Sequence, residues 1–190
     1  MLRKIDISLK LRRGFRAAGD ARVRHTQRTM WTKDELRILE ALDTAVRSEV
    51  TAAHINEIVS FVEQELQRRP DDVLAWKPIP LTLYGSRLPA IIRSSWVFIL
   101  RANTITGAER HPNSHQRMMS YRGAGDFQTK TEGLWCSHYL RSDPAAPLAE
   151  SWISIPPNVW HQGVVPEANW VVVSFHTVVD DELIEERPDG

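Results

Sequence analysis

Two short segments of the chain carry the side chains that could do chemistry. The first covers residues 109–116 and contains Glu109, His111 and His115, and the second, roughly forty residues later, ends in His161. Imidazole and carboxylate groups are the usual protein ligands of iron, zinc, manganese and nickel. The two segments therefore predict a site for one divalent metal ion, provided that the fold brings them together.

The spacing of these residues leaves two ligand sets open. Alternate residues of a strand point to the same face about 6.6 Å apart, so Glu109 and His111 could bind one ion from one side. On a regular strand His115 would lie about 13 Å from His111, and it could join only if residues 112–114 form a turn. With His161 from a neighbouring strand, one set has two histidines and a carboxylate, which suits Fe(II) and oxygen chemistry. The other set has three histidines and could hold iron, zinc, nickel or copper.

The elements that must position these residues are predicted to be β-strands. From residue 71 onward, short runs of apolar, β-branched and aromatic residues alternate with turns that contain Gly, Pro and Asn, which is typical of a sandwich or barrel. The predicted strands are 95–100, 117–121, 134–140, 152–155 and 170–173. The Pro-Pro-Asn sequence at 156–158 predicts a turn just before His161, in which Asn158 tolerates the left-handed conformation.

Residues 31–70 predict a pair of helices. Thr32 and Glu35 have the spacing of a capping box, in which the threonine oxygen accepts a backbone N–H and the glutamate returns to the cap. The second helix is predicted to begin near Thr51 and to end at residues 68–70, Arg-Arg-Pro. The apolar stripes are Leu36, Leu39, Leu42 and Val46 in the first helix, and Ile55, Ile58, Val59, Val62 and Leu66 in the second. About forty residues cannot bury both stripes alone, so we expect the pair to pack on the β domain of residues 71–190 or on a second subunit.

Charge and composition narrow the class of partner. Residues 1–30 contain nine Lys or Arg and two Asp, and they predict a basic, disordered extension or an upstream start before Met30. Residues 31–190 then hold 15 basic and 22 acidic residues, which argues against nucleic acid as the main partner. No apolar run approaches the roughly 18 residues that span a bilayer. The single cysteine, Cys136, suggests a reducing compartment, and we expect a cytoplasmic protein without a membrane partner.

The first segment resembles the first motif of the cupin superfamily, whose members are small double-stranded β-barrels with a jelly-roll-like arrangement. That motif has two histidines separated by one residue, then a glutamate, then a glycine after a short strand. When Gly123 is aligned on the glycine, Glu109 stands at the first histidine, His111 at the second and Gln116 at the glutamate. The alignment implies that residues 109–123 form one ligand-bearing edge of a cupin-like barrel.

The second segment resembles the second cupin motif, Pro-x-Gly-x-x-His. Residues 156–161 match it with Asn158 in place of the glycine and His161 at the histidine. The whole resemblance covers roughly residues 90–178. It implies an all-β-dominated fold, a cupin-like double-stranded β-barrel preceded by the α-helical pair.

The resemblance also implies a function, a metal-dependent enzyme that acts on a small organic molecule. Fe(II)-dependent dioxygenation is the leading reaction class, with His111, His161 and either Glu109 or His115 holding the metal and with O₂ and substrate at its open positions.

Further roles follow from the same resemblance. Gln116 and Arg101 are expected to orient the substrate. Cupins commonly form homodimers through sheet edges and flanking segments, so a homodimer is expected. Independently of the resemblance, His138 and His176 lie in or beside predicted strands and could point into a barrel, but they are interpreted as hydrogen-bonded structural histidines.

Three other functions stay open on the sequence. The first is a metal-dependent lyase or isomerase with zinc, manganese or nickel, in which Glu109, if it is not a ligand, acts as general base. The second is a barrel that binds a small ligand without catalysis. The third is nucleic-acid binding through the basic residues 1–30, which predicts an affinity that collapses with salt.

Overall fold

A computed structural model describes residues 24–25 and 31–188, in which two α-helices precede a β structure. The helices are α1 (Lys33–Arg47) and α2 (Glu49–Arg68). The strands are β1 (Arg24–His25), β2 (Leu74–Pro78), β3 (Ser94–Leu100), β4 (Thr104–Ile105), β5 (Gln116–Arg122), β6 (Ala124–Thr131), β7 (Leu134–Arg141), β8 (Trp152–Ile155), β9 (His161–Val165) and β10 (Trp170–His176). Apart from β1, the predicted basic extension of residues 1–30 lies outside the described residues.

The strands form two five-stranded sheets. The front sheet has the order β1-β7-β6-β9-β4, and the back sheet has the order β2-β3-β10-β5-β8. Without the added β1 and β2, the eight strands β3 to β10 form the two four-stranded sheets of a jelly roll, a double Greek key that cupins share. This strand order confirms the predicted cupin-like double-stranded barrel.

The back sheet is buried on both faces, which explains the continuous apolar run in β10. Trp170 and Val172 face the core between the two sheets, whereas Val171, Val173 and Phe175 face the core shared with the helices. A strand covered on both sides has no polar face to present, so its sequence does not alternate.

The helices cover the outer face of the back sheet. The stripe of α2 is buried as predicted at Ile55, Val59, Val62 and Leu66, whereas Leu36 at the start of α1 is 39 % exposed. Among the described residues, no helix is both long enough and apolar enough to cross a membrane.

Half of the predicted capping box forms. Thr32 accepts the backbone N–H of Glu35 at 3.2 Å. The Glu35 side chain does not return to the cap, because its two carboxylate oxygens accept Nε and Nη2 of the buried Arg117 of β5 at 2.8 and 2.7 Å. This bidentate pair fastens the first turn of α1 to the back sheet.

Candidate metal centre

The backbone holds Glu109 and His161 opposite each other. Glu109 forms an isolated antiparallel bridge with His161, the first residue of β9, and the two N–H···O distances are 2.9 and 2.8 Å. Asn158 precedes β9 with φ of 69°, the left-handed conformation that the sequence predicted, and its N–H donates to the carbonyl oxygen of His111 at 3.0 Å. The turn therefore ties the second segment directly to the first.

The side chains of Glu109, His111 and His161 converge on one point. Oε1 of Glu109 lies 3.5 Å from Nε2 of His161 and 4.0 Å from Nε2 of His111. One donor atom from each of the three residues lies within 4.8 Å of the others, which is close enough for a single metal ion. The structure brings together the two-histidine, one-carboxylate set of the two sets that the sequence left open.

The other nitrogen of each histidine is already used by the backbone. Nδ1 of His111 lies 3.2 Å from the carbonyl oxygen of Ile184, and Nδ1 of His161 lies 3.0 Å from the carbonyl oxygen of Val159. An Nδ1–H that donates to a carbonyl leaves the lone pair on Nε2, the arrangement that orients histidines for a metal. Nε2 of His161 is buried and has no hydrogen-bond partner among the described residues, so an ion there would satisfy it.

The electrostatics of the cluster favour the protonation states that a cation needs. Burial would raise the pKa of the Glu109 carboxyl, but the neighbouring His161, together with His111 and Arg187, holds that pKa below its ordinary value. Burial lowers the pKa of His111, although the Glu109 carboxylate opposes this shift. An ionised carboxylate beside a neutral imidazole is ready to bind a metal without losing protons first.

A C-terminal strap, residues 183–187, closes one side of the cluster. In this strap, the carbonyl oxygen of Ile184 accepts a hydrogen bond from Nδ1 of His111. Nη2 of Arg187 donates to Oε2 of Glu109 at 3.0 Å. Glu185 accepts from Arg187 at 2.7 Å and lines the same pocket. Burial, and then the charge of Glu109, raise the pKa of Glu185. Sequence reasoning missed the strap because charged residues near the end of a chain give no signal beyond a solvated segment.

His115 does not belong to the cluster. Its Nε2 lies 2.7 Å from Oγ of Ser154 and 3.9 Å from the Glu35 carboxylate, next to α1. Gln116 begins β5 and lines the pocket between the sheets, and successive residues at a strand project to opposite faces. The alternation therefore turns His115 away from the other histidines.

Arg101 also lies away from the cluster, contrary to the role expected for it. Its guanidinium donates to the backbone carbonyl oxygens of Leu66, Arg69 and Asp72 at 2.7 to 2.9 Å. These carbonyls belong to the last turn of α2 and the residues after it, where cations stabilise the helix end. Arg101 is therefore a cap of α2 and does not line the pocket.

His176 is hydrogen-bonded as predicted, and it also lines the pocket. Its Nε2 lies 2.9 Å from Oγ of Ser174, and its Nδ1 lies 3.2 Å from Oγ of Ser114. Burial, together with the neighbouring His111 and His161, holds its pKa well below 6.5. His176 is thus a neutral wall residue, with both nitrogens engaged, 5.2 Å from His111 between ring centroids.

Gln116 contributes a free acceptor to the same pocket. Its Nε2 donates to Oγ of Ser174 at 3.2 Å, while its Oε1 is buried without a hydrogen-bond partner among the described residues. The pocket encloses a cavity of about 70 Å³ between the two sheets. The candidate ligands, Gln116, His176 and the strap therefore surround one small cavity.

Comparisons with known proteins give only distant similarities. No family model matches this chain, and no curated protein matches it. Among solved structures, the chain is similar to a pumpkin seed globulin at 17 % identity and a TM-score of 0.46, over 61 % of this chain and 28 % of the globulin.

Two solved enzymes show the same level of similarity. One is an oxalate oxidase in complex with glycolate, at 11 % identity and a TM-score of 0.46 over 61 % of this chain and 55 % of that one. The other is the Lactobacillus farciminis oxalate decarboxylase, at 9 % identity and a TM-score of 0.47 over 62 % of this chain and 32 % of that one. The chain spans less than two thirds of the length of each of these proteins, and the assignment of the fold rests on the strand order.

Proposed function

We propose that this protein is a mononuclear metal enzyme that acts on a small organic molecule, with Fe(II)-dependent dioxygenation as its reaction. The observation that carries the proposal is the convergence of Oε1 of Glu109 with Nε2 of His111 and His161. Two histidines and one carboxylate on one face, with the remaining positions open, is the ligand set of non-haem Fe(II) oxygenases.

The chain's own residues supply geometry, and bound Fe(II) would supply the redox chemistry toward O₂. The carbonyls of Val159 and Ile184 fix the rings of His161 and His111, and Arg187 fixes the carboxylate. Phe127 stacks on His161 at 5.4 Å between ring centroids and supports that face of the ring. Groups held in place in this way need no reorganisation when charge develops during a reaction.

The test is metal analysis of protein purified without a chelating tag and incubated anaerobically with Fe(II). We expect about one equivalent of iron, lost in His111→Ala and in His161→Ala. His115→Ala is the matched control, because that histidine binds Ser154 and not the cluster. Oxygen consumption with candidate organic substrates should follow the iron content. Absence of iron in the parent protein, or equal loss in the control, would refute the metal site.

Glu185 supports a second candidate, a metal-dependent lyase or isomerase. Glu109 faces both histidines and is unsuited to act as a general base, whereas Glu185 is the other carboxylate that lines the described part of the pocket. A carboxylate in that place could move a proton while a redox-inert ion polarises the substrate. Turnover with Zn(II) without oxygen, abolished in Glu185→Gln but with metal content unchanged, would select this candidate over the dioxygenase.

A further inference from the structure

Aromatic rings form one wall of the pocket, from the candidate ligands to the surface. Trp96 lies against His176 with 4.6 Å between ring centroids, and Phe98 lies 6.2 Å from Trp96 at a near-perpendicular angle. Trp76 continues the wall, 6.2 Å from Trp96 and 6.3 Å from Phe98. Ring pairs at these distances favour edge-to-face and offset contacts, which a further ring could extend.

The wall ends at an opening. Trp76 lines the pocket and is 36 % exposed, whereas Trp96 is 6 % exposed. The enclosed volume of about 70 Å³ is about half of the ~150 Å³ cavity that holds benzene in another protein. A single ring therefore fits only with its reacting edge inside and its other edge against Trp76 at the opening.

Before a metal ion binds, the charges in the pocket disfavour an anionic ligand. Glu109 and Glu185 line it, and the cation that lines its described part, Arg187, is already bound to both of them. A carboxylate that enters the metal-free pocket would therefore find no unpaired side-chain cation in the described part of its lining and would meet two acidic side chains.

Three side chains of the pocket have a buried polar atom without a hydrogen-bond partner among the described residues: Nε2 of His161, Nε1 of Trp96 and Oε1 of Gln116. Of these, Gln116 offers the acceptor that is not a candidate metal ligand, and it is 6 % exposed. Its Nε2 is held by Ser174, which in turn bonds His176, so the acceptor side of the amide is the side left for a ligand. A buried acceptor without a donor costs free energy that a ligand O–H or N–H would recover.

We propose that the pocket takes a single-ring aromatic molecule with a hydroxyl or amino donor. The ring lies along Trp96, Phe98 and Trp76, and the donor bonds Oε1 of Gln116. The inference deepens the proposed function, because it names the substrate class of the same site. It also makes a binding claim that does not depend on turnover.

The test is calorimetric titration with phenol as probe: the metal-free protein is titrated beside cyclohexanol, benzoate and oxalate, and the Zn(II)-loaded protein beside cyclohexanol. We expect phenol to bind about fivefold more tightly than cyclohexanol, which lacks the ring contacts, and at least about tenfold more tightly than benzoate and oxalate, which lack the donor and are negatively charged. If benzoate or oxalate binds the metal-free protein as tightly as phenol does, the inference is overturned, because neither anion carries a donor for Gln116. If cyclohexanol binds as tightly as phenol does, the aromatic wall does not select a ring and the inference is overturned.

Variants locate the binding. Gln116→Met keeps the shape and removes the acceptor, and Trp76→Leu removes the outer ring, so each should weaken phenol binding about five- to tenfold. Trp135→Leu is the control, because Trp135 lies on β7 outside the pocket and stacks with Lys130. Equal affinity in all variants would overturn the inference. Phenol binding without any metal binding would leave it standing and refute the proposed function, and metal binding without phenol binding would do the reverse.

Discussion

The two oxygens of the Glu109 carboxylate have different neighbours, and this difference decides which oxygen is free for a metal. Oε1 faces the two histidines, whereas Oε2 accepts from Arg187. Partners that orient a ligand typically change metal affinity 10- to 100-fold when they are removed.

Arg187→Met should therefore lower the affinity for Zn(II) or Fe(II) about 10- to 100-fold without unfolding the protein. Competition with a fluorescent chelator measures the change. Arg122→Met is the matched control, because it removes an exposed arginine that pairs with Glu63 on the helix side. An unchanged affinity in Arg187→Met would show that Arg187 does not orient the ligand.

The left-handed conformation of Asn158 costs free energy, and most other side chains would pay a larger cost at this position. With φ at 69°, Asn158→Ala should lower the free energy of unfolding by about 1–2 kcal/mol, whereas Asn158→Gly should stay within about 0.5 kcal/mol of the parent. Urea unfolding measures both. Equal effects of the two substitutions would mean that the conformation at 158 is not what limits the turn before His161.

At the scale of elements, the Glu35–Arg117 pair joins α1 to the back sheet. The side chain of Arg117 is 2 % exposed and that of Glu35 is 14 % exposed, so removing the carboxylate leaves a buried cation without its partner. Glu35→Gln should lower the free energy of unfolding at pH 7 by about 3 kcal/mol. Glu63→Gln, which breaks the exposed pair with Arg122, should cost less than about 1 kcal/mol. Equal losses in urea unfolding would contradict the structural role given to the pair.

The same pair makes stability depend on pH in a defined direction. Burial would raise the pKa of Glu35, but the hydrogen bonds of Arg117 and Ser154 and the charge of Arg117 hold it below 4.5. The unfolded state therefore takes up the proton first as pH falls below about 4.5, and the contribution of Glu35 is lost as pH passes through its folded pKa. The difference in unfolding free energy between the parent and Glu35→Gln should be constant above about pH 5.5 and shrink below 4.5. A difference that grows with acidification would reverse this sign.

From their apolar runs the sequence predicted β3, β5, β7, β8 and β10, five of the ten described strands, but it did not delimit β1, β2, β4, β6 or β9. β6 (Ala124–Thr131) contains Asp126, Gln128 and Lys130, so its polarity hid a strand that the structure places in the middle of the front sheet. Gly125 of β6 is recognisable only afterwards, because a side chain there would overlap the ring of Trp170. Local apolar patterns predict which segments form buried strands, whereas a polar strand such as β6 is determined by its contacts with neighbouring strands and with the opposite sheet.

The candidate site, like the strands, was predictable as far as local sequence patterns reach. Motif spacing singled out His111, His161 and Glu109, and the turn at Asn158 followed from residue type. That His115 lies outside the cluster could be seen only once the structure showed that β5 begins at Gln116. That Arg101 caps α2 could be seen only once the structure showed where α2 ends. The expected homodimer stays a prediction.

At the scale of the whole molecule, the strap contributes to metal binding but little to the stability of the fold. Ile184 is 49 % exposed, and the cores contain no residue of the strap. Deletion of residues 180–190 should therefore leave the thermal unfolding midpoint of the metal-free protein within a few degrees. It should lower metal affinity at least about tenfold, because His111 and Glu109 lose their orienting partners. Calorimetry with and without Zn(II) measures both, and collapse of the metal-free fold would contradict this division.

The strap also sets an order of events during synthesis. The donors at 109, 111 and 161 leave the ribosome before Ile184 and Arg187, the groups that orient two of them. At about 5–20 residues per second, the interval between residues 161 and 187 lasts about one to five seconds. A nascent chain therefore first exposes donors that are not yet oriented. The high-affinity site forms only after the strap has been translated, so metal binding is delayed until the strands of the barrel can assemble around the site.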